Sequence, residues 1–139
     1  MSIRLIRRYA FSASHLYRRP DWSEEENREK FGMCANLPGH GHNYRLWVQV
    51  AGQPDPETGF IINLETLDEI VKEQVLSAVD HQHLNHALAE FSMGKAIPSS
   101  ENLVLWARSR LEKALPEGVK LVALRLFEDE SLGAEWVAG

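Results

Sequence analysis

Three histidines, one cysteine and two carboxylate-bearing stretches carry the chemistry open to this sequence. His15 ends the stretch Phe11-Ser-Ala-Ser-His15. His40 and His42 lie in Cys34-Ala-Asn-Leu-Pro-Gly-His40-Gly-His42-Asn43-Tyr44. On a strand, residues two apart share a face. His40 and His42 can therefore aim two imidazoles at one point, and His15 can complete the set from a neighbouring strand. Three histidines leave a fourth coordination position open, the pattern of a catalytic rather than a structural zinc site. A lone His-x-His pair is more often two half-buried polar residues. The third histidine favours a metal instead, as do Gly39 and Gly41, which let backbone approach closely.

Cys34 is the only cysteine. A free cysteine is usually a small buried hydrophobe, but a nearby dication would favour its thiolate. Separated from His40 by five residues, it can be a fourth ligand or a general base. Asp80 beside His81 can orient that imidazole and raise its basicity, giving a proton relay near neutral pH. His83 and His86, in the same polar stretch, read as solvated loop residues. Glu128 ends an apolar strand, where a carboxylate can accept two hydrogen bonds from an amidine-like edge.

The elements that must position these groups follow from periodicity. Residues 3–13 alternate, with Ile3, Leu5, Tyr9 and Phe11 on one face, and read as a strand. Residues 16–39 form a long connection with a capping-box helix start at Ser23 to Glu26; connections of this length are usually functional. Residues 40–51 are the clearest strand, with His40, His42, Tyr44, Leu46, Val48 and Val50 on one face. That places the histidines at the rim of a buried surface. Residues 64–79 predict a helix with Leu64, Leu67, Ile70, Val71 and Val75 on one stripe. A second helix opens at Pro98 to Glu101, turns Leu103, Trp106, Ala107, Leu111 and Leu115 inward, and stops at Pro116 to Gly118. Strands follow from Val119 to Phe127 and from Ala134 to Val137. The order predicts an α+β fold: a four-stranded antiparallel sheet with two helices on one face, in one domain over residues 1–139. The open edges of such a sheet must be paired or covered, so a homo-oligomer joined edge to edge is expected.

Composition excludes several classes. A net charge of −5 over 139 residues argues against a nucleic-acid surface. A single cysteine rules out an internal disulfide framework. The N-terminal stretch lacks the apolar core of a signal peptide, and no apolar run is long enough to span a membrane, so the cytoplasm is the expected compartment.

Taken in order, FSASH, CANLPGHGHNY, GFIINLETL, VDHQHLN, PSSENL and the final FEDES resemble the 6-pyruvoyltetrahydropterin synthase family, which also includes the 6-carboxytetrahydropterin synthases of queuosine biosynthesis. The resemblance covers nearly the whole chain. It implies a T-fold (tunnelling fold) subunit, three of which close a barrel and two trimers of which stack into a homohexamer with active sites between subunits. It implies Zn²⁺ on His15, His40 and His42, Cys34 as the proton-abstracting base, and Asp80 with His81 as the relay. Glu128 matches the pterin-anchoring glutamate, with Ser99, Ser100 and Glu101 in the adjoining helix-start motif. The implied activity is that of a carbon–oxygen lyase acting on phosphates, in the tetrahydrobiopterin direction. It converts 7,8-dihydroneopterin triphosphate to 6-pyruvoyltetrahydropterin with loss of triphosphate.

The alternative is the carboxy branch, a carbon–carbon lyase that releases acetaldehyde from the same substrate. A third reading is a non-catalytic pterin- or zinc-binding module. The gap between Cys34 and His40 and the presence of Asn63 resemble the pyruvoyl branch. One departure stands out: Asp129 follows Glu128 where many members have threonine.

Overall fold

The computed structural model describes residues 3–139; Met1 and Ser2 lie outside the described residues. Two long strands dominate it. Strand β1 (Arg4–His15) and strand β2 (His40–Ala51) pair antiparallel over their full lengths. In this register Leu5 stands opposite Val50, Phe11 opposite Tyr44, Ala13 opposite His42 and His15 opposite His40. Opposed residues in an antiparallel ladder point to the same side, so the pairing carries one apolar face along both strands and ends it in histidines. Tyr44, Leu46, Val48 and Val50 are buried on that face, as the alternation predicts.

The connection between β1 and β2 holds helix α1 (Glu24–Phe31) and a 3₁₀ turn, Gly32–Ala35. Ser23 caps α1, its side chain accepting from the Glu26 N–H at 3.0 Å, as the capping-box reading requires. Asn27, buried, accepts from Arg19 N–H and donates to the Arg19 carbonyl, stitching the incoming loop to the helix.

Helix α2 (Leu64–Val71) starts at Asn63, which caps the Glu65 N–H. It continues through a π-helical turn, Lys72–Leu76, into α3 (Ser77–Val79). Leu67, Val71, Val75 and Val79 are all buried, at a spacing of four residues. An α-helix drifts off one face at that spacing, and the wider π turn takes the drift back. Helix α5 (Ser100–Ala114) is capped by Ser99 and turns Leu103, Val104, Trp106, Ala107 and Leu111 inward. Each fully buried aliphatic side chain here contributes about 1.5–3 kcal/mol of transfer free energy. Ile3 and Leu64, expected on inner stripes, are exposed; Ile3 precedes β1 and Leu64 is the first residue of α2, where neither is covered.

Strand β4 (Lys120–Phe127) pairs antiparallel with β2, and β5 (Gly133–Val137) antiparallel with β4. The expected sheet of four antiparallel strands is corrected to a mixed sheet of five, in the order β3-β1-β2-β4-β5. The extra strand, β3 (Gln82–His83), runs parallel to β1 at Ala13 and Ser14 and leads into the short helix α4 (Leu84–Ala87). Two residues are too short to show alternation, which is why the sequence reads this segment as loop. It is anchored by a 2.6 Å bond from His81 N–H to the Ser12 carbonyl, and by the Ser12 N–H on Asp80 Oδ1 at 3.0 Å. No helix among the described residues is long and apolar enough to cross a membrane.

Candidate metal centre and active-site cleft

The end of the β1–β2 ladder gathers the three histidines singled out in the sequence. His15, with 0% exposure, is the hub: its ring centroid lies 4.8 Å from that of His40 and 4.9 Å from that of His42. His15 Nε2 and His40 Nε2 are 3.3 Å apart, and the other His15 nitrogen, Nδ1, is 2.9 Å from Tyr44 Oη. Ala13 opposite His42 leaves room for its ring. Two sets of possible ligand atoms share His15. One is His15, Cys34 and His40; the other is His15, His42 and Glu128. Within each, all atoms lie within 4.8 Å of one another.

The electrostatics of this cluster suit a cation. Burial first, and then the neighbouring His42 and His40, push the His15 imidazole down to about 3, so it stays neutral. Burial lowers His42 as well, partly opposed by Asp129. Neutral imidazoles present lone pairs, as metal binding requires. His42 Nε2 and Glu128 Oε2, 3.7 Å apart, are both buried and lack hydrogen-bond partners among the described residues. Unpartnered buried acceptors facing each other are costly unless something sits between or beside them. The residues present therefore fit a divalent cation.

Cys34 reaches the cluster from the 3₁₀ turn, held by the Tyr17 N–H on its carbonyl at 3.0 Å. Burial, and then the Glu128 carboxylate, raise its thiol above the ordinary value. Cys34 shares a cleft of about 400 Å³ with Glu128, Ser99, Ser100 and Glu101, so the proposed anchor, helix-start motif and cysteine do converge. Burial also raises Glu128, with Asp129 adding and His40 opposing. Ser100 Oγ, buried and without a partner, is a second unsatisfied polar atom in this cleft besides Glu128 Oε2. Asp129 faces elsewhere: its Oδ1 accepts from Ser131 N–H, Ser131 Oγ–H and Leu132 N–H at 2.7–3.0 Å, closing the β4–β5 turn.

Asp80 and His81 occupy different ground. Asp80 Oδ1 lies 2.9 Å from His81 Nδ1, which fixes the proton on Nδ1 and leaves Nε2 free. The His81 side chain is 81% exposed and its backbone takes φ +61°, unusual for a non-glycine residue. His81 lines a second cleft, of about 430 Å³, with Ser12, Ser14, Asn43 and His83. No residue lines both clefts, so the chain brings its dyad and its cysteine to separate places.

Sequence reasoning missed Tyr17, and it placed Tyr44 on the histidine face of β2 without giving it a role. Tyr17 lines the Cys34 cleft with its ring 4.5 Å from that of His15. Burial pushes both phenols well above their ordinary range. Tyr44 sits two residues beyond His42 on the same face, a spacing that marks it as a partner to the histidines. Tyr17 has no comparable signal. His83, expected to be solvated, is half-buried; its ring stacks on that of His86, which is exposed as expected, with centroids 4.2 Å apart and 17° between planes.

The family model described as 6-pyruvoyl tetrahydropterin synthase matches residues 4–138. The chain belongs to this family. Among curated relatives, 6-pyruvoyl tetrahydrobiopterin synthase of Pongo abelii is 38% identical over 90% of this chain and 84% of its own. The Homo sapiens protein of the same name is 37% identical over the same shares. A dihydroneopterin monophosphate aldolase of Pyrococcus furiosus is 30% identical over 97% of each chain. The solved structure of Caenorhabditis elegans 6-pyruvoyl tetrahydropterin synthase superposes with a TM-score of 0.90 at 28% identity, covering 100% of this chain and 97% of the other. The family's fold is therefore this chain's fold, with β3 included in its sheet.

Proposed function

We propose that this single-domain chain is a zinc-dependent cytoplasmic lyase of tetrahydrobiopterin type, converting 7,8-dihydroneopterin triphosphate to 6-pyruvoyltetrahydropterin and triphosphate. The observation that carries the reading is the convergence of Cys34 and two unpartnered buried polar atoms, Ser100 Oγ and Glu128 Oε2, on one cleft beside the histidine cluster. The synthases at 37–38% identity support the same reaction.

His15, His40 and His42 hold the zinc in this reading. A bound Zn²⁺ supplies Lewis-acid polarisation of the oxygens on the substrate side chain. Glu128, accepting from the amidine-like edge of the pterin, orients the ring, and Ser99, Ser100 and Glu101 line its approach. Cys34 takes the carbon-bound proton of the side chain. Its thiol is raised by its surroundings, and a cation brought into the site counters that shift. His81, its tautomer set by Asp80, exchanges a proton through the exposed Nε2. Hydrogens pass from side chain to ring, so no external reductant is required. Because Cys34 and His81 open to different clefts, we assign the complete site to two neighbouring subunits of a homohexamer. The unpaired outer edge of β1 before Ala13 is compatible with edge-to-edge joining. Light scattering tests this: a monomer at micromolar concentration sinks it. Arg18 and Arg19 are engaged within the chain, Arg18 with Glu24 and the Ala35 carbonyl and Arg19 with the Lys95 carbonyl, so neither is assigned to the triphosphate.

One observation favours a second reading: a relative aligned over nearly the whole chain is named a dihydroneopterin monophosphate aldolase, and an aldol cleavage would break a carbon–carbon bond of the pterin side chain instead. Mass spectrometry of products from zinc-loaded protein and 7,8-dihydroneopterin triphosphate, with a chelated control, separates the cases. The pyruvoyl product with triphosphate supports the proposal. A carboxy product with acetaldehyde assigns the queuosine branch, and a shortened side chain assigns aldol cleavage. Unchanged triphosphate, and unchanged 7,8-dihydroneopterin monophosphate in a parallel incubation, with zinc bound make the chain a binding module.

A further inference from the structure

The backbone just before His40 is squeezed. Gly39 takes φ +121°, and a Cβ there would lie 2.3 Å from the His15 carbonyl oxygen and 3.3 Å from His83 Nε2. His83 Nε2 is 3.0 Å from the Pro38 carbonyl oxygen. A carbonyl only accepts, so Nε2–H donates. The ring is held on two further sides: its backbone pairs with Ser14 of β1, and its face lies on His86. His83 Nδ1 is buried with no partner, which a solvated loop histidine would not be. His83 therefore links two things at fixed distance. One is the end of β1, which delivers His15; the other is the loop carbonyl two residues before His40.

We infer that His83 is a positioning residue for the histidine cluster: its Nε2–H, bound to the Pro38 carbonyl, sets where β2 begins and hence where His40 and His42 point. The inference rests on the reading of His15, His40 and His42 as metal ligands. Outer groups that orient ligands typically change metal affinity or activity about 10–100-fold when removed. His83 does this through the backbone rather than through a ligand's own ring. It also carries the strand that follows Asp80 and His81, so one hydrogen bond ties the metal-side loop to the dyad's strand.

The test measures Zn²⁺ affinity, by competition with a chromophoric chelator, together with the visible spectrum of the Co²⁺-substituted protein. It uses the wild type, His83→Leu, His83→Gln and His40→Ala. Glutamine can place an amide N–H near the position of Nε2–H; leucine cannot. His83→Asn, whose amide stops short of the carbonyl, substitutes for leucine if that variant does not fold. The expected result is a ten- to hundred-fold weaker affinity and shifted Co²⁺ bands in His83→Leu or His83→Asn. His83→Gln should recover both, with the chelated proteins melting alike. Wild-type affinity and spectrum in His83→Leu or His83→Asn overturn the inference. So does a glutamine variant as weak as the leucine one. If the wild type binds no zinc, or His40→Ala binds it undiminished, the metal reading fails first and takes this inference with it.

Discussion

His15 stands directly opposite His40 across the β1–β2 ladder, their Nε2 atoms 3.3 Å apart, in a position with no exposed surface. Two consequences follow from that burial: a neutral His15 and a dependence of stability on pH. The unfolded chain protonates His15 near its ordinary value of 6.5, while the folded chain resists until about 3. The unfolded state therefore binds more protons in between, and stability falls as pH drops through that window. His42 acts in the same direction. Glu128, raised by its surroundings, acts in the opposite one, losing stability as pH rises above its ordinary range. His15 is expected to dominate because it is fully buried. Denaturant unfolding of chelated protein between pH 7 and pH 4 should show a loss on the order of a few kcal/mol. His15→Gln should flatten the slope, and an unchanged slope in that variant refutes the assignment.

Replacing Cys34 separates base from ligand. Cys34→Ala is expected to lower turnover by at least about 100-fold, with zinc content unchanged by elemental analysis. Zinc lost in parallel would instead make Cys34 a metal ligand, in keeping with its place beside His15 and His40.

Glu128→Gln preserves volume and removes the charge. A charge-assisted hydrogen bond contributes about 1.5–3 kcal/mol, so the pterin-dependent KM should rise roughly 10–100-fold, with zinc retained. An unaltered KM would take Glu128 out of the substrate site.

Asp129 belongs to the turn rather than the cleft. Asp129→Ala strips three hydrogen bonds from the β4–β5 connection and should cost about 1 kcal/mol by chemical denaturation. Asp129→Asn, which still accepts at Oδ1, should cost less. Neither should alter kcat/KM, and a marked loss in Asp129→Asn would place the carboxylate against substrate after all.

Much of the site was legible because alternation on a strand is strict. His40, His42 and Tyr44 share a face as soon as β2 is recognised, and its limits at residues 40 and 51 match. Ser23 declared its helix through cap chemistry, and the stretch from Pro98 to Glu101 marked the opening of the second. The π turn at Lys72–Leu76 was not legible, since valines four apart fit an α-helix over any short window. Nor was β3, whose two residues are specified by Ser12, Asp80 and a parallel neighbour far away in sequence. His83 looked solvated for the same reason: its partners, Pro38 and Ser14, reach it only through the fold.

The separation of Cys34 from His81 into two clefts has a genetic corollary. In the proposed two-subunit site, a subunit lacking the thiol and one lacking the dyad imidazole are each defective at a different half. Mixed and reassembled at equal amounts, Cys34→Ala and His81→Ala chains should rescue one another, rebuilding intact sites at roughly a quarter of the subunit junctions. Two dead alleles would complement in trans, and a lesion in either half would be diluted rather than dominant in a mixed population.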